Sequence, residues 1–508
     1  VRFLGKAGYD QSALANYFTV YGGYAPKKQT FYKGVRRLGV GESLVLSRRG
    51  AGVRTGSFRP EPAEAYGADK LDEYARVFEE SVRIRSSKKM NWVFLSSGWD
   101  STAILAMLVK IHGRSRVRGV IGRMDYSRRA GTINRFELDR ARKFADYYGI
   151  RLDTVPLDLR GRSAVEYWDR TRPLMRGQHL YTLGGYNFYR LTDFILQNGG
   201  KDDPIFAGEV SDGAHNLGFS QYATILDHPD LGFREYSDKM ASYLFGPSFF
   251  KRVLDGDYRE DAVYKLLRAR AGASAFDDEK PLDERGRRLK FMASFFLRAH
   301  RLPFYGIKNN RVLTARGAEA LEERVSSQYL KEAARQVDPQ TFYAWMLRLY
   351  NSFHWQGSTA RMFGCRLALE GRKVRLPYWD GRLQSFLSRM PEGWGRGLEL
   401  KPTKYPLKWT LANRADYPMD LQTGPHSYLY DVNPRFSHAS EVLFASVLSP
   451  WLKDILKQRP YEDILDPKDF NLPYLERLVK DYRRGVELTG GERGDLMSLS
   501  ILSMVGWY

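Results

Sequence analysis

The chain has 508 residues, a formal net charge of +21, 43% apolar and 27% charged residues, one cysteine and 8 histidines. That content excludes a disordered chain, a disulfide framework within one chain and a thiolate zinc site, and no apolar run is long enough to cross a bilayer. The charge points to anionic partners (nucleotide, pyrophosphate, a polyanionic glycan, nucleic acid or an acidic membrane face) without choosing among them. A reducing, cytoplasmic setting is expected from the cysteine usage.

Three zones follow in chain order. Residues 1–62 are basic, with 11 Lys/Arg against 2 Asp/Glu in the first 60, and strand-like at Ser43–Leu46. They end at Phe58-Arg59-Pro60-Glu61-Pro62, where two prolines stop regular structure. Residues 63–235 alternate strands and helices. A helix over Lys70–Ile84 leads to a strand at Trp92–Leu95, a polar loop, and a small-residue helix over Thr102–Val109. A strand at Val117–Ile121, a helix over Phe136–Tyr148, a strand at Leu152–Pro156, a helix over Tyr186–Gln197 and a strand at Pro204–Ala207 complete the zone. Such alternation predicts an α/β fold, a parallel sheet with flanking helices and ligand at the carboxyl ends of its strands. Residues 236–508 read as mostly helical. Cys365, within Met362-Phe363-Gly364-Cys365-Arg366, fits a small core residue better than a nucleophile.

Two loops carry the chemistry. In Ser96-Ser97-Gly98-Trp99-Asp100-Ser101, backbone N–H groups, hydroxyls and a helix N-terminus surround one point, which suits an anion. Asp100 would repel a bare phosphate, so its presence predicts a magnesium ion between carboxylate and phosphate oxygens. The second loop, Ala207-Gly208-Glu209-Val210-Ser211-Asp212, also places carboxylates just beyond a strand end. In a parallel sheet the two loops can be neighbours, with Asp100 and Asp212 holding one magnesium ion between them.

On these residues the chain resembles the synthetase domain of the asparagine synthetase family, within the ATP pyrophosphatase superfamily. The Ser96–Ser101 loop is similar to its S-G-G-x-D-S loop, and Ala207–Asp212 to its S-G-E-G-S-D-E. Arg375-Leu376-Pro377-Tyr378-Trp379-Asp380 is similar to R-x-P-F-L-D, and Lys408-Trp409-Thr410-Leu411 to the K-x-x-L-R helix. The resemblance spans about residues 65–430, and residues 10–60 look like the tail of an amidotransferase domain.

The resemblance implies an adenine nucleotide alpha-hydrolase-like core and a ligase that activates a carboxylate as an acyl-adenylate, with ATP and magnesium as cofactors. Leu95 and Gly208 would line the nucleotide pocket, while Ser96, Ser97, Gly98 and Ser101 cradle pyrophosphate. Asp100 and Asp212 would ligate magnesium, Glu209 would handle an amine or proton, and Lys408 would approach the phosphates. The acid would be aspartate or a uronic acid sugar or glycan. The amine would be ammonia, delivered by a separate glutaminase, or another amine, and a homo-oligomer is expected.

The departures are Ser97 for a glycine, Trp99 for a small aliphatic residue and Gly213 for the last acid of S-D-E. No lysine follows Lys408 before Lys453, where the family carries an essential one; Arg414, His426 or Arg435 could neutralise charge instead. The glutaminase cysteine is also missing, so the chain as given should not hydrolyse glutamine. Two alternatives stay open: a tRNA-modifying enzyme with the same loop, and a catalytically degenerate binding subunit.

Overall fold

The computed structural model describes residues 8–20, 25–178, 180, 182–219, 231–271, 282–297, 303–304, 310–422 and 437–506. Its strands are β1 (Glu42–Ser47), β2 (Gly50–Thr55), β3 (Asn91–Phe94), β4 (Val117–Asp125), β5 (Arg151–Asp158) and β6 (Ile205–Phe206). The first two form an antiparallel hairpin, and the other four a parallel sheet in the order β5-β4-β3-β6. Asn91 of β3 pairs with Val117 of β4, and Trp92 with Ile205 of β6. All four residues of β3 are buried, and its Trp92-Val93-Phe94 run lies between two covered faces.

The strand order sets the position of the site. From β3 the chain steps outward to β4 and β5, then returns past β3 to β6. The connections leaving β3 and arriving at β6 therefore diverge, and a crevice opens at the carboxyl ends of these two strands. Both polar loops begin there. The fold is α/β, with helices flanking the sheet and a largely helical remainder.

The helices named below are α1 (Gln11–Thr19), α2 (Asp69–Arg83), α3 (Trp99–His112), α4 (Arg135–Tyr148), α5 (Ser163–Gly177), α6 (Leu183–Asn198) and α7 (Ser211–Asn216). Helix α3 starts three residues earlier than its apolar run predicts, because Gly98 takes the cap position and Trp99 and Asp100 enter the first turn. Residues Ser101–Leu108 are buried, so α3 is a central helix with almost no solvent face. Strand β5 runs two residues past Pro156, which a sheet-edge strand tolerates.

The zones are not separated by solvent. Residues from all three join one buried apolar cluster. In the first zone, Asp10 caps α1 by accepting from Ala13 N at 3.1 Å and pairs with Arg324 of the helical zone at 2.7 Å. The stretch read as a linker is irregular but anchored, with Phe58 edge-on to Trp345 at 4.9 Å. The R-L-P-Y-W-D segment extends the sheet beyond β6: Arg375 N donates to Ile205 O at 2.7 Å, and Ala207 N to Arg375 O at 3.1 Å. Its Asp380 caps the helix Gly381–Arg389 and pairs with Arg85 at 2.9 Å.

Arg396 ties the helical zone to the second loop. Its guanidinium is fully buried and donates to Ala214 O at 2.6 Å, His215 O at 2.7 Å and Leu387 O at 2.8 Å, with the Tyr343 ring 4.0 Å away. It thereby satisfies carbonyls of α7 that a six-residue helix leaves open. Burial lowers its pKa to about 10, still charged at neutral pH. Arg396→Ala is expected to cost about 3 kcal/mol or more, seen as a lower urea midpoint, and Arg396→Met less because it fills the space.

Candidate functional site

The loop after β3 is closed by its own hydroxyls. Ser101 Oγ accepts from Ser96 N at 3.0 Å and lies 2.9 Å from Ser96 Oγ, which accepts from Gly98 N at 3.2 Å. This holds the chain in a tight turn at the N-terminus of α3, where unpaired N–H groups favour an anion. The third sequence segment braces the turn from behind. Tyr378, buried and stacked on Phe78 at 5.2 Å, donates its hydroxyl to Asp100 O at 3.0 Å.

Asp100 and Asp212 do converge, and a lysine stands between them. Lys404 Nζ is 2.8 and 2.7 Å from the two Asp100 oxygens and 2.5 Å from Asp212 Oδ1. These carboxylate oxygens therefore lie within about 5 Å of one another, and at an effective dielectric near 20 such charges repel by about 3 kcal/mol. A cation is required, and Lys404 supplies one. Burial opposes its charge, but Asp100 and Asp212 outweigh that and hold its pKa above the usual value. Burial also raises the Asp100 carboxyl, against the opposing pull of Lys404. Lys404 caps the helix Tyr405–Arg414 with a left-handed backbone, φ 57°, an uncommon conformation for a side chain with a Cβ.

The second loop meets the first at Gly208. A Cβ there would fall 2.9 Å from Ser101 N and 3.0 Å from Asp100 Cβ, so only glycine allows the two loops to touch. Val210 adopts φ 82° at the position of the second glycine in S-G-E-G-S-D-E. For a β-branched residue this stores strain on the order of 1–3 kcal/mol, offset by its buried side chain. Ser211 donates to Asp100 Oδ1 at 2.6 Å. His215 Nδ1 faces the Ser211 carbonyl at 2.9 Å, and Nε2 faces the Tyr74 hydroxyl at 2.8 Å. A carbonyl only accepts, so Nδ1 carries the proton and Nε2 accepts from Tyr74. Burial, then the charge of Lys404, push the imidazole pKa down to about 3, so it stays neutral. Gly213 is closed to any side chain by the ring of Trp355, 2.8 Å from where its Cβ would sit. That explains why no acid stands there.

Around these loops opens a cleft of about 520 Å³. Of the residues expected from sequence, Leu95, Ser96, Gly98, Asp100, Ser101, Gly208, Glu209, Asp212 and Lys408 line it. Ser97 does not; it is buried, its hydroxyl without a hydrogen-bond partner among the described residues. Burial, then the charge of Asp212, push the Glu209 carboxyl up to about 7. Lys408 is held by Glu235 at 2.8 Å and lies 5.1 Å from the Trp99 ring, which stacks on Tyr417. Arg414 sits outside the cleft, paired with Asp72 at 2.6 Å. His426 and Arg435 fall outside the described residues. Cys365 is buried and its thiol pKa is raised to about 12 by burial, too high for a nucleophile.

The K-x-x-L-R pattern, placed at Lys408 by sequence, begins one turn earlier in the structure, at Lys404. Lys404-Tyr405-Pro406-Leu407-Lys408 fits the pattern better, with a cation at both ends, and its first lysine is the one among the carboxylates. The donor set suits magnesium: two carboxylates close enough to share one small cation, hard oxygens only. No group of three or more His, Cys, Asp or Glu side chains that could hold a metal occurs among the described residues, so further ligands would come from phosphate and water. No protein-family model matches this chain, and no curated protein sequence matches it significantly. Gly208→Ala is expected to force the loops apart, costing about 1–3 kcal/mol in stability, seen as a lower urea midpoint.

Proposed function

We propose that this chain is an ATP-dependent amide ligase that releases AMP and pyrophosphate, built on an adenine nucleotide alpha-hydrolase-like core. The observation that carries the reading is the convergence of Asp100, Asp212 and Lys404 beside a helix N-terminus at the switch point of the sheet. A carboxylate substrate attacks the α-phosphate of ATP, pyrophosphate departs toward the Ser96–Ser101 loop, and ammonia or another amine attacks the acyl-adenylate. Magnesium held by Asp100 and Asp212 would supply charge neutralisation on the phosphates. The loop N–H groups orient the leaving pyrophosphate, and the Lys404 ammonium offsets its developing charge. Lys408, braced by Glu235, adds a second fixed cation to the cleft wall. Glu209, with a carboxyl titrating near neutrality, suits removal of a proton from the attacking amine.

The same lysine favours one second reading. A cation built into the chain can neutralise both carboxylates for good, which describes a binding subunit that takes no nucleotide. Mg-ATP binding separates the two.

The direct test is AMP and pyrophosphate release from Mg-ATP and ammonia, with amino acids including aspartate, and uronic acids, as acceptors. Substrate-dependent AMP is expected, with Lys404→Ala and Asp100→Ala each lowering kcat about 100-fold or more. Absence of both turnover and Mg-ATP binding would sink the ligase. Because the Glu209 carboxyl is raised to about 7, it is a base only above that pH. The amide-forming rate is therefore expected to climb through about pH 7, and Glu209→Gln should flatten that limb; a slope surviving in Glu209→Gln would rule out this role.

A further inference from the structure

Where the first zone meets the helical zone, three cations gather without a counter-ion. Residues Pro26–Gln29 form a turn, Gln29 N donating to Pro26 O at 2.9 Å, and Lys27 N pins that turn to Ser352 O at 2.8 Å. Arg37 wraps the turn. Its Nε donates to Gln29 O at 3.0 Å, and its Nη2 to Ala25 O at 3.1 Å and Pro26 O at 3.0 Å. Lys27 Nζ donates to Gln356 Oε1. Gln356 lies in the helical segment Asn351–Thr359, wound with five-residue hydrogen bonds. Arg361 follows five residues later, in the helix Ala360–Ala368, about one such wide turn on. Its Nη2 donates to the carbonyl of Gln178, just past α5. Every acceptor here is a neutral oxygen, and none of the three side chains has a carboxylate partner among the described residues. By contrast Arg366, on the same helix as Arg361, pairs with Asp193 at 2.5 Å.

We propose that Lys27, Arg37 and Arg361 form an oxyanion site that takes a phosphate or carboxylate group. All three side chains are partly buried, and like charges held together away from water cost free energy unless an anion joins them. The repulsion is felt at each member of the turn. Burial, then the charge of Arg361, bring Arg37 down to about 10, and burial with both guanidinium groups lowers Lys27. Donors also remain to spare: Arg37 Nη1 and Arg361 Nη1 have no hydrogen-bond partner among the described residues. Two guanidinium forks and an ammonium match the oxygens of a phosphate or carboxylate, and one bound anion relieves all three repulsions. None of the three lines the cleft, although Met362 and Phe363, next to Arg361, do. The site is therefore separate from the Ser96–Ser101 loop and stands without the nucleotide reading. Free inorganic phosphate and the carboxylate of a sugar acid are the two sources of this chemistry.

The test is the thermal midpoint of the full chain near neutral pH in sodium phosphate or sodium glucuronate, each against sodium chloride at equal ionic strength. Wild type should gain about 2 °C or more from at least one of these anions at about 10 mM. Lys27→Gln and Arg361→Gln should each lose about half of that gain or more, while Lys27→Arg, which keeps the charge, retains it. The Ser96–Ser101 loop is intact in every variant, so an anion bound there contributes equally and the difference reports the cluster. The two glutamine variants are independent, and one that fails to fold leaves the other to decide. A gain from phosphate alone identifies free phosphate as the ligand, and a gain from glucuronate alone identifies the sugar acid. A gain from both supports an oxyanion site without preference. No gain over chloride from either anion, or the full gain surviving in the glutamine variants, would overturn the inference and leave the ligase reading untouched.

Discussion

Everything at the head of the sheet depends on two carboxylates that cannot lie together unless a cation lies with them. Asp100 arrives on the first turn of α3 and Asp212 on the first turn of α7, each fixed by a strand end. The sheet order brings those ends together, and Gly208 lets the backbones touch. The repulsion this creates is offset by Lys404, which comes from the helical zone. The contact therefore joins the α/β core to the helices electrostatically as well as by packing, and any ligand that takes over the carboxylates must also give the lysine a new anion.

The surrounding groups serve that arrangement by limiting motion. Tyr378 holds the backbone of Asp100, Ser211 holds its side chain, and a neutral His215 with Tyr74 holds the start of α7. Arg396 closes the far end of α7. Of these groups only Arg396 is charged, and it does not line the cleft. The frame is held rigid by hydrogen bonds, the arrangement in which electrostatic stabilisation needs least reorganisation.

Much of this was legible in the sequence. The strands and helices of residues 63–235 follow from apolar runs bounded by glycine and polar turns, and the two acidic loops stand out because they follow strand ends. The errors have physical causes. Helix α3 began early because glycine capped it, a choice apolar periodicity does not register. Lys404 lies 304 residues from Asp100, and no local pattern encodes a contact between distant segments. Lys408 lies on a helix and fits a local pattern, whereas the lysine between the carboxylates sits just before it, with a left-handed backbone.

The closure of Gly213 by Trp355 links two residues that are far apart in the chain. An acid at 213 cannot enter while the indole is in place, and removing the indole alone would leave a hole beside Asp212. Change at either position is constrained by the state of the other, so any side chain at 213 requires a smaller residue at 355 first.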